Sequence, residues 1–483
     1  MGKRKREVDA PEQRNGVSKK PNADISEPAN RIPIVVQIIT GSYERVLHGF
    51  QATISDPKDE DAAVPFVDTF LFNAHSSAIR CLALSPLPEP STLSENLRVI
   101  LASGGTDERV NLYSLSASPL AESERLPSVP TLAGNKILEN PANRELGSLL
   151  QHNSSITSLH FPTRSKLLSA AEDNTISISR TKDFEVVSTI KAPRPKIQGR
   201  PSGDTAPPGG LPAGVNDFAV HPSMKLMVSV GKGERCMRLW NLVTGKKAGV
   251  LNFTRETLES VKESKYSSGE GRRIEWSPDG DEFAVAFERG VIVYGADSVP
   301  SCKILPTPLT KIHQMRYLGI KSSNKPSSVL AVSTEDGRIV FYSTNVSESD
   351  GTSTESGKPT TIPDATLVSK LGGKDSGVSG RIKDFEVVSA PGVEGFLVVT
   401  ASSDGAVRIW SLELSSLLPK KKSVAQPRQV GRLLGTYETG NRVTCLKAFV
   451  MLPVNPDELE GDEGLTEAEE DDYESLSNSE DSD

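Results

Sequence analysis

The chain has 483 residues, of which 36 % are hydrophobic and 5 % aromatic, with 38 Gly and 33 Pro. That length supports several ordinary cores or one large all-β array. No apolar run approaches the roughly 18 residues of a membrane span, and the charged start lacks the apolar stretch of a secretory signal. The net charge of −8 is uneven: 14 acids and no bases lie between Asp457 and Asp483, whereas the first 31 residues hold eight Lys/Arg against five acids. The body between them is mildly basic, so charge alone does not predict a strong nucleic-acid binder.

Residues 1–31 read as a disordered basic tail. Lys3, Arg4, Lys5 and Arg6, with Lys19 and Lys20 further on, fit a bipartite nuclear import signal or an ordinary solvated terminus. A repeat then begins. An apolar strand, a small-residue turn bearing an acid and a second apolar strand lead to an aromatic six positions after the acid. In chain order the pairs are Glu44 with Phe50, Asp107 with Tyr113, Glu234 with Trp240, Glu288 with Tyr294, Asp336 with Tyr342 and Asp404 with Trp410. A seventh acid, Asp173, has Ser179 at the aromatic position. Tight turns between antiparallel strands favour Gly, Asn and Asp, and stretches such as VILASGG, TISIS and RIVFY supply the flanking strands.

Ahead of most hairpins stands a further apolar segment: IRCLALSP, ITSLHFP, VNDFAVHP and RRIEWSP. Without clean alternation, these read as innermost strands buried on both faces. The first copy lacks such a strand, whereas Asn441–Phe449 (NRVTCLKAF) looks like one with no hairpin after it. Joining the two ends completes a seventh unit and removes two sheet edges. The predicted fold is therefore an all-β, seven-bladed propeller over residues 32–455, followed by a disordered acidic tail at 456–483. Polar insertions at about 116–145, 193–213, 254–270, 344–378 and 414–430 are expected as mobile surface loops, the last carrying Pro419–Lys422 (PKKK). Ser477 in the acidic tail has an acid three positions on, which suits acidophilic phosphorylation. That tail could shield a basic face from RNA or only keep the chain soluble.

The four cysteines are far apart and read as small buried side chains, in keeping with a reducing compartment. No Walker loop, no G-x-S-x-G elbow and no His pair at metal-ligand spacing occurs. A catalytic set, a cofactor site and a metal site are accordingly not expected.

The repeat resembles the WD repeat, in which a loop His, a turn Asp and a strand aromatic form one hydrogen-bonded set per blade. By that resemblance His75 pairs with Asp107 and His152 with Asp173. Tyr113, Trp240 and Trp410 are strand aromatics, and Asp336 and Asp404 are further turn acids. Longer stretches (ITGSYERVL, AHSSAIRCLALS, ELGSLLQHNSSITSLHF, LLSAAEDNTISI and RLWNLVTGKKAGVL) are similar, in order and over about residues 33–450, to the Mak-eleven and PAK-interacting-protein family. The long insertions and the GKGER turn depart from it. The resemblance implies a non-enzymatic nucleolar factor in maturation of the large (60S) ribosomal subunit, a monomer within a larger complex. It would bind pre-60S assembly proteins, with rRNA as a further candidate. The alternative is a regulator that docks on a PAK-type kinase and restrains it. A ubiquitin-ligase substrate receptor would favour a W-D-x-R blade ending, where this chain has WNLV and WSLE.

Aligned innermost strands place Arg80, Arg272, His313 and Lys383 at one equivalent position, with Thr157, Asn216 and Thr444 in the other blades. Near a channel mouth these are candidate partner-binding residues for an acidic peptide or rRNA phosphates. The plainer reading is scattered surface charge.

Overall fold

A computed structural model describes residues 33–55, 57, 63–88, 97–120, 129–130, 136–193, 213–264, 267–320, 327–345, 362–418 and 428–452. The basic and acidic tails, the import-signal lysines and arginines, Ser477 and Pro419–Lys422 lie outside these residues.

Seven antiparallel sheets form a closed ring, because each innermost strand packs between those of the two neighbouring sheets. The sheets are numbered as blades in ring order. Blade 1 is built from both ends of the described chain: Val443–Val450 is innermost, then Ile34–Ser42, Val46–Ile54 and Phe66–Asn73. Val36 to Gly41 pair antiparallel with Val450 to Cys445, so the expected closure is present residue by residue. Blade 2 begins with Ile79–Leu84, blade 3 with Ile156–Thr163, blade 4 with Val215–Val220, blade 5 with Arg273–Trp276, blade 6 with Ile312–Ile320 and blade 7 with Ile382–Val388.

This order puts the second-to-third-strand turns on the face where the innermost strands start, called the upper face below. The first-to-second and third-to-fourth connections lie on the lower face. All seven turn acids, from Glu44 to Asp404, fall in second-to-third turns.

The apolar side chains sort into seven clusters, each between adjacent blades. The cluster at the seam joins Val36, Ile38 and Phe50 to Val399, Ile409 and Leu446. No blade buries its hydrophobic faces alone, so stability depends on an unbroken ring. A polar lock reinforces the seam. Buried Asp68 lies 2.8 Å from His48 Nε2 and accepts a hydrogen bond from the Tyr437 hydroxyl of blade 7 at 2.5 Å. The Tyr437 ring also stacks on Phe50, with centroids 4.3 Å apart.

The insertions are not wholly loops. Residues 254–270 hold a short helix, Arg255–Ser260, capped by Thr254 and anchored by buried Leu258 in the cluster between blades 4 and 5. The span 344–378 contains Thr366–Gly372, the outer strand of blade 6. Parts of two other insertions return to pair in parallel with blade edges: Lys136–Ile137 on blade 1 and Arg428–Gln429 on blade 6. A parallel bridge of Asp364 to Lys303 covers part of the blade 5 edge. Polarity alone had suggested loops, but such returning segments satisfy exposed strand edges.

Candidate functional site: the channel and the two faces

The polar sets inside the blades decide which charges remain free. In blade 2, His75 Nδ1 lies 2.9 Å from Asp107 and His75 Nε2 lies 2.8 Å from Ser103 Oγ. The Ser76 N–H donates to the other Asp107 oxygen at 2.9 Å. A side chain on Gly105 would collide with both His75 and Asp107, so the small residue before the acid is required there. Burial alone would raise the Asp107 pKa, but the Ser76 N–H and His75 outweigh it and hold the carboxyl below its ordinary value.

Blade 3 repeats the set, with His152 Nδ1 3.2 Å from Asp173 and Nε2 2.7 Å from Ser169 Oγ. The missing aromatic at Ser179 is replaced by a residue that the motif does not mark. Ser179 Oγ donates to Gln151 Oε1 at 2.6 Å, and Gln151 Nε2 donates to Ser169 Oγ at 2.7 Å.

The departing GKGER turn of blade 4 has its own replacement. Glu234 is held by the Arg238 guanidinium in a buried two-pronged ion pair, and Trp240 Nε1 donates to Ser229 Oγ at 2.8 Å. In blade 7, Trp410 Nε1 donates to Thr400 Oγ1 at 3.3 Å and Asp404 accepts the Ala406 N–H. In blade 6, Asp336 takes the Thr334 hydroxyl and lies 2.6 Å from Arg338. At the seam, Glu44 accepts the Arg442 N–H at 2.9 Å.

The central channel, about 400 Å³, is lined by equivalent positions of the innermost strands. Its acids hold the ring together. Asp217 of blade 4 accepts the Ile274 N–H of blade 5, Glu275 of blade 5 accepts the Tyr317 N–H of blade 6, and Asp384 of blade 7 accepts the Leu446 N–H of blade 1. Arg316 stands among Glu275, Asp384 and Glu386 at 3.4–3.9 Å, and Lys447 pairs with Glu386 at 2.6 Å. Burial pushes Glu275 up to about 7 despite Arg316.

The four residues expected at the mouth do lie at the start of their strands, on the upper face, but they do not form an unopposed basic cluster. Arg80 reaches Glu172 of blade 3 at 2.9 Å, and the same carboxylate holds Lys232 of blade 4 at 3.4 Å. Arg272 lies 3.9 Å from Glu288, which Lys311 also contacts at 3.0 Å. His313 is pushed down to about 4 by burial and nearby Lys383, so it is neutral at pH 7. Lys383, beside Arg381 and Arg442, also titrates below its ordinary value, with burial the larger cause. The equivalent Thr157, Asn216 and Thr444 donate to backbone carbonyls of the next blade: Val215 O, Gly271 O and Ile79 O. This strand position mainly stitches blades, and the acids that oppose its charges come from turns too distant in sequence to be read from the alignment.

The family described as WD domain, G-beta repeat matches residues 143–178, the stretch that carries His152 and Asp173. The chain is a WD-repeat β-propeller. Along most of its length this propeller is similar to Protein MAK11 of Saccharomyces cerevisiae, 29 % identical over 435 residues that cover 85 % of this chain and 82 % of that protein. It is also similar to the p21-activated protein kinase-interacting protein 1-like of Gallus gallus, 25 % identical over 415 residues, or 86 % of this chain and 80 % of the relative. Shk1 kinase-binding protein 15 of Schizosaccharomyces pombe aligns over 421 residues at 22 % identity, covering 86 % of the propeller chain and 85 % of its own. These are the relatives that the ordered motifs of the sequence point to. The names of the chicken and fission-yeast relatives describe a kinase-interacting and a kinase-binding protein.

The thiols of the WD-repeat propeller are free, with Cys302 and Cys445 buried and Cys81 and Cys236 half-buried. Burial pushes Cys81 up to about 12, so it behaves as a packing residue and not as a nucleophile.

Proposed function

We propose that this WD-repeat propeller is a non-enzymatic scaffold in assembly of the large (60S) ribosomal subunit. It works as a monomer within a larger particle in the nucleolus and binds pre-ribosomal proteins and rRNA. The observation that carries this reading is the likeness to MAK11, which runs along 85 % of the chain instead of a repeat or two. Consistent with a scaffold, the buried His75–Asp107 and His152–Asp173 pairs are spent on holding blades together.

A second reading rests on the names of the chicken and fission-yeast relatives, which describe kinase-interacting and kinase-binding proteins. In that reading the propeller docks on a PAK-type kinase and restrains it. Affinity purification followed by gradient sedimentation separates the two. Co-migration with large-subunit precursors supports assembly, and a free pool bound to a kinase with no precursor association overturns it.

A further inference from the structure

On the upper face several basic side chains meet acids: Arg80 and Lys232 share Glu172, Lys311 and Arg272 share Glu288, and Arg381 meets Glu335 at 3.3 Å, while exposed Arg45, Arg109 and Arg289 stand singly in the turns of three separate blades with no ion-pair partner among the described residues. The lower face of blades 3 and 4 is different. Lys166 opens the second strand of blade 3 (Lys166–Ala171), and Lys182 lies in the third-to-fourth connection of that blade. Lys225 precedes the second strand of blade 4 (Leu226–Gly231), and Lys246 and Lys247 open its outer strand (Lys246–Asn252). Alternating strand direction brings all five to the lower rim. All are exposed, and among the described residues none of their ammonium groups has an ion-pair partner. Asp183 and Glu185, the acids of the blade 3 connection, are engaged by Arg180.

The two blades present one continuous surface there. Leu242 in the lower loop of blade 4 joins Ile178 and Val220 around the cluster between the blades, and a Cβ on Gly245 would touch Ser188 of blade 3. On the far side the patch ends at blade 5, whose lower loops carry Asp279, Asp281 and Asp297.

We propose that this lower rim receives the phosphate backbone of an RNA helix, with Lys166, Lys182, Lys225, Lys246 and Lys247 contacting phosphates. The proposal deepens the assembly reading and rests on it. Desolvation explains the choice of partner. Lysine is a compact, strongly hydrated cation, depleted from the cores of protein–protein interfaces but suited to phosphate as a point charge. Free lysines in exposed loops can meet phosphates without entering a dry pocket. Single strands are usually gripped by aromatic stacking platforms. The exposed large apolar side chains of this rim are Val186, Val187, Met224 and Val243, none of them aromatic. A duplex, read by shape and backbone, matches such a surface better.

The test uses the full chain, a 20-base-pair RNA duplex followed by fluorescence anisotropy, and a variant carrying K166E, K182E, K225E, K246E and K247E. Five phosphate contacts predict a log–log salt slope of about −4 to −5 and a loss of about 10²–10³ in affinity between 50 and 200 mM salt. The five-site variant should bind at least about 100-fold more weakly at 50 mM, with most of that slope gone. A paired variant, R272E with K383E on the upper face, should keep wild-type RNA affinity. Should the five-site variant lose its folded thermal transition, the five Lys→Gln substitutions replace it, with the same expected loss of slope.

Unchanged RNA binding by the lower-rim variant, or loss only in the upper-face pair, overturns the proposal. Capture of a poly-glutamate peptide in place of the duplex also overturns it. Gradient sedimentation keeps the two readings apart. Wild-type chain absent from large-subunit precursors refutes the assembly function whatever the duplex does. Wild-type and five-site variant co-sedimenting alike, with equal duplex affinity, refutes the rim alone.

Discussion

Ending the chain at residue 440 removes the strand Val443–Val450, and the consequence can be sized against a chain ending at Leu452. The strand buries Val443, Leu446 and Phe449, exposed by 1 %, 0 % and 4 %. At about 1.5–3 kcal/mol for each such side chain, their burial is worth about 5–9 kcal/mol. Asp384 loses the Leu446 N–H and Glu386 loses Lys447, and each deserted acid adds about 1–3 kcal/mol. The sum is comparable to the whole stability of a typical domain, about 5–15 kcal/mol. Ile34–Ser42 would also become an open edge, ready to pair with another chain. The shorter chain should therefore aggregate or lose its cooperative calorimetric transition. A milder probe, Leu446→Ala, should cost about 2–5 kcal/mol. For a cooperative unit of roughly 400 residues, that lowers Tm by about 2–6 °C. Scanning calorimetry and size-exclusion chromatography read both outcomes. A monomeric chain ending at 440 that melts within about 2 °C of the reference would show that the ring does not depend on its seam.

Four further expectations concern the sets within the blades. Asp173→Ala strips His152, Asn153 N–H and Thr175 of a shared acceptor and should cost about 2–4 kcal/mol in chemical denaturation, well beyond an exposed control such as Lys182→Ala. The Asp173 carboxyl is held well below the ordinary range because its donors outweigh the upward effect of burial. Its stabilisation is thus complete above the ordinary carboxylate pKa and fades as pH falls through the depressed value. The gap between wild type and Asp173→Asn should stay constant above about pH 5 and narrow on acidification, as denaturation at stepped pH will show. Gln151→Ala leaves Ser169 and Ser179 short of partners and should cost about 1–2 kcal/mol, with little added by Ser179→Ala in the same chain. Glu234→Ala strands the Arg238 charge and should cost about 3–5 kcal/mol, whereas Glu234→Leu with Arg238→Met should cost clearly less by the same denaturation assay.

The features legible in the sequence were those with local causes. A tight turn needs its acid and small residues within four positions, so Glu44, Asp107, Asp173, Glu234, Glu288, Asp336 and Asp404 marked seven hairpins, and the unpaired ends marked the seam. Gln151 was invisible because its role depends on a gap 28 positions later, at Ser179. The GKGER turn looked like a defect because the partner that repairs it, Arg238, lies on the strand and not in the loop where the family keeps its His. The mouth position was found correctly as a position, but its electrostatics were not. Arg80 and its opposing Glu172 are 92 residues apart, and nothing local to either residue announces the pair. Parts of four insertions failed as loops for a related reason. A polar segment that returns to a distant edge, as Arg428–Gln429 does on blade 6, carries no alternation of its own.

A propeller needs inward-pointing polar groups to tie seven innermost strands to one another, and this chain does so with Asp217, Glu275, Asp384, Thr157, Asn216 and Thr444. The acids must be balanced, and Arg316, Arg273 and Lys447 sit in the channel to do so. On the upper face the turn acids and their neighbours draw in the surrounding bases, as Glu172 does with Arg80 and Lys232. Positive charge placed near these groups is therefore committed to the fold. The described lower connections build no His–Asp set, and a lysine such as Lys225 or Lys246 keeps its charge for solvent or a partner. Bases that reach an acid, such as Arg80, thus hold the ring, and unpaired ones such as Lys225 and Lys246 can meet an anion. Reversing Lys246 and Lys247 should leave Tm within about 1 °C, since exposed unpaired charges contribute little to stability, while reversing Arg80 should lower it. Equal Tm losses for the two, measured by calorimetry at low salt, would contradict that division.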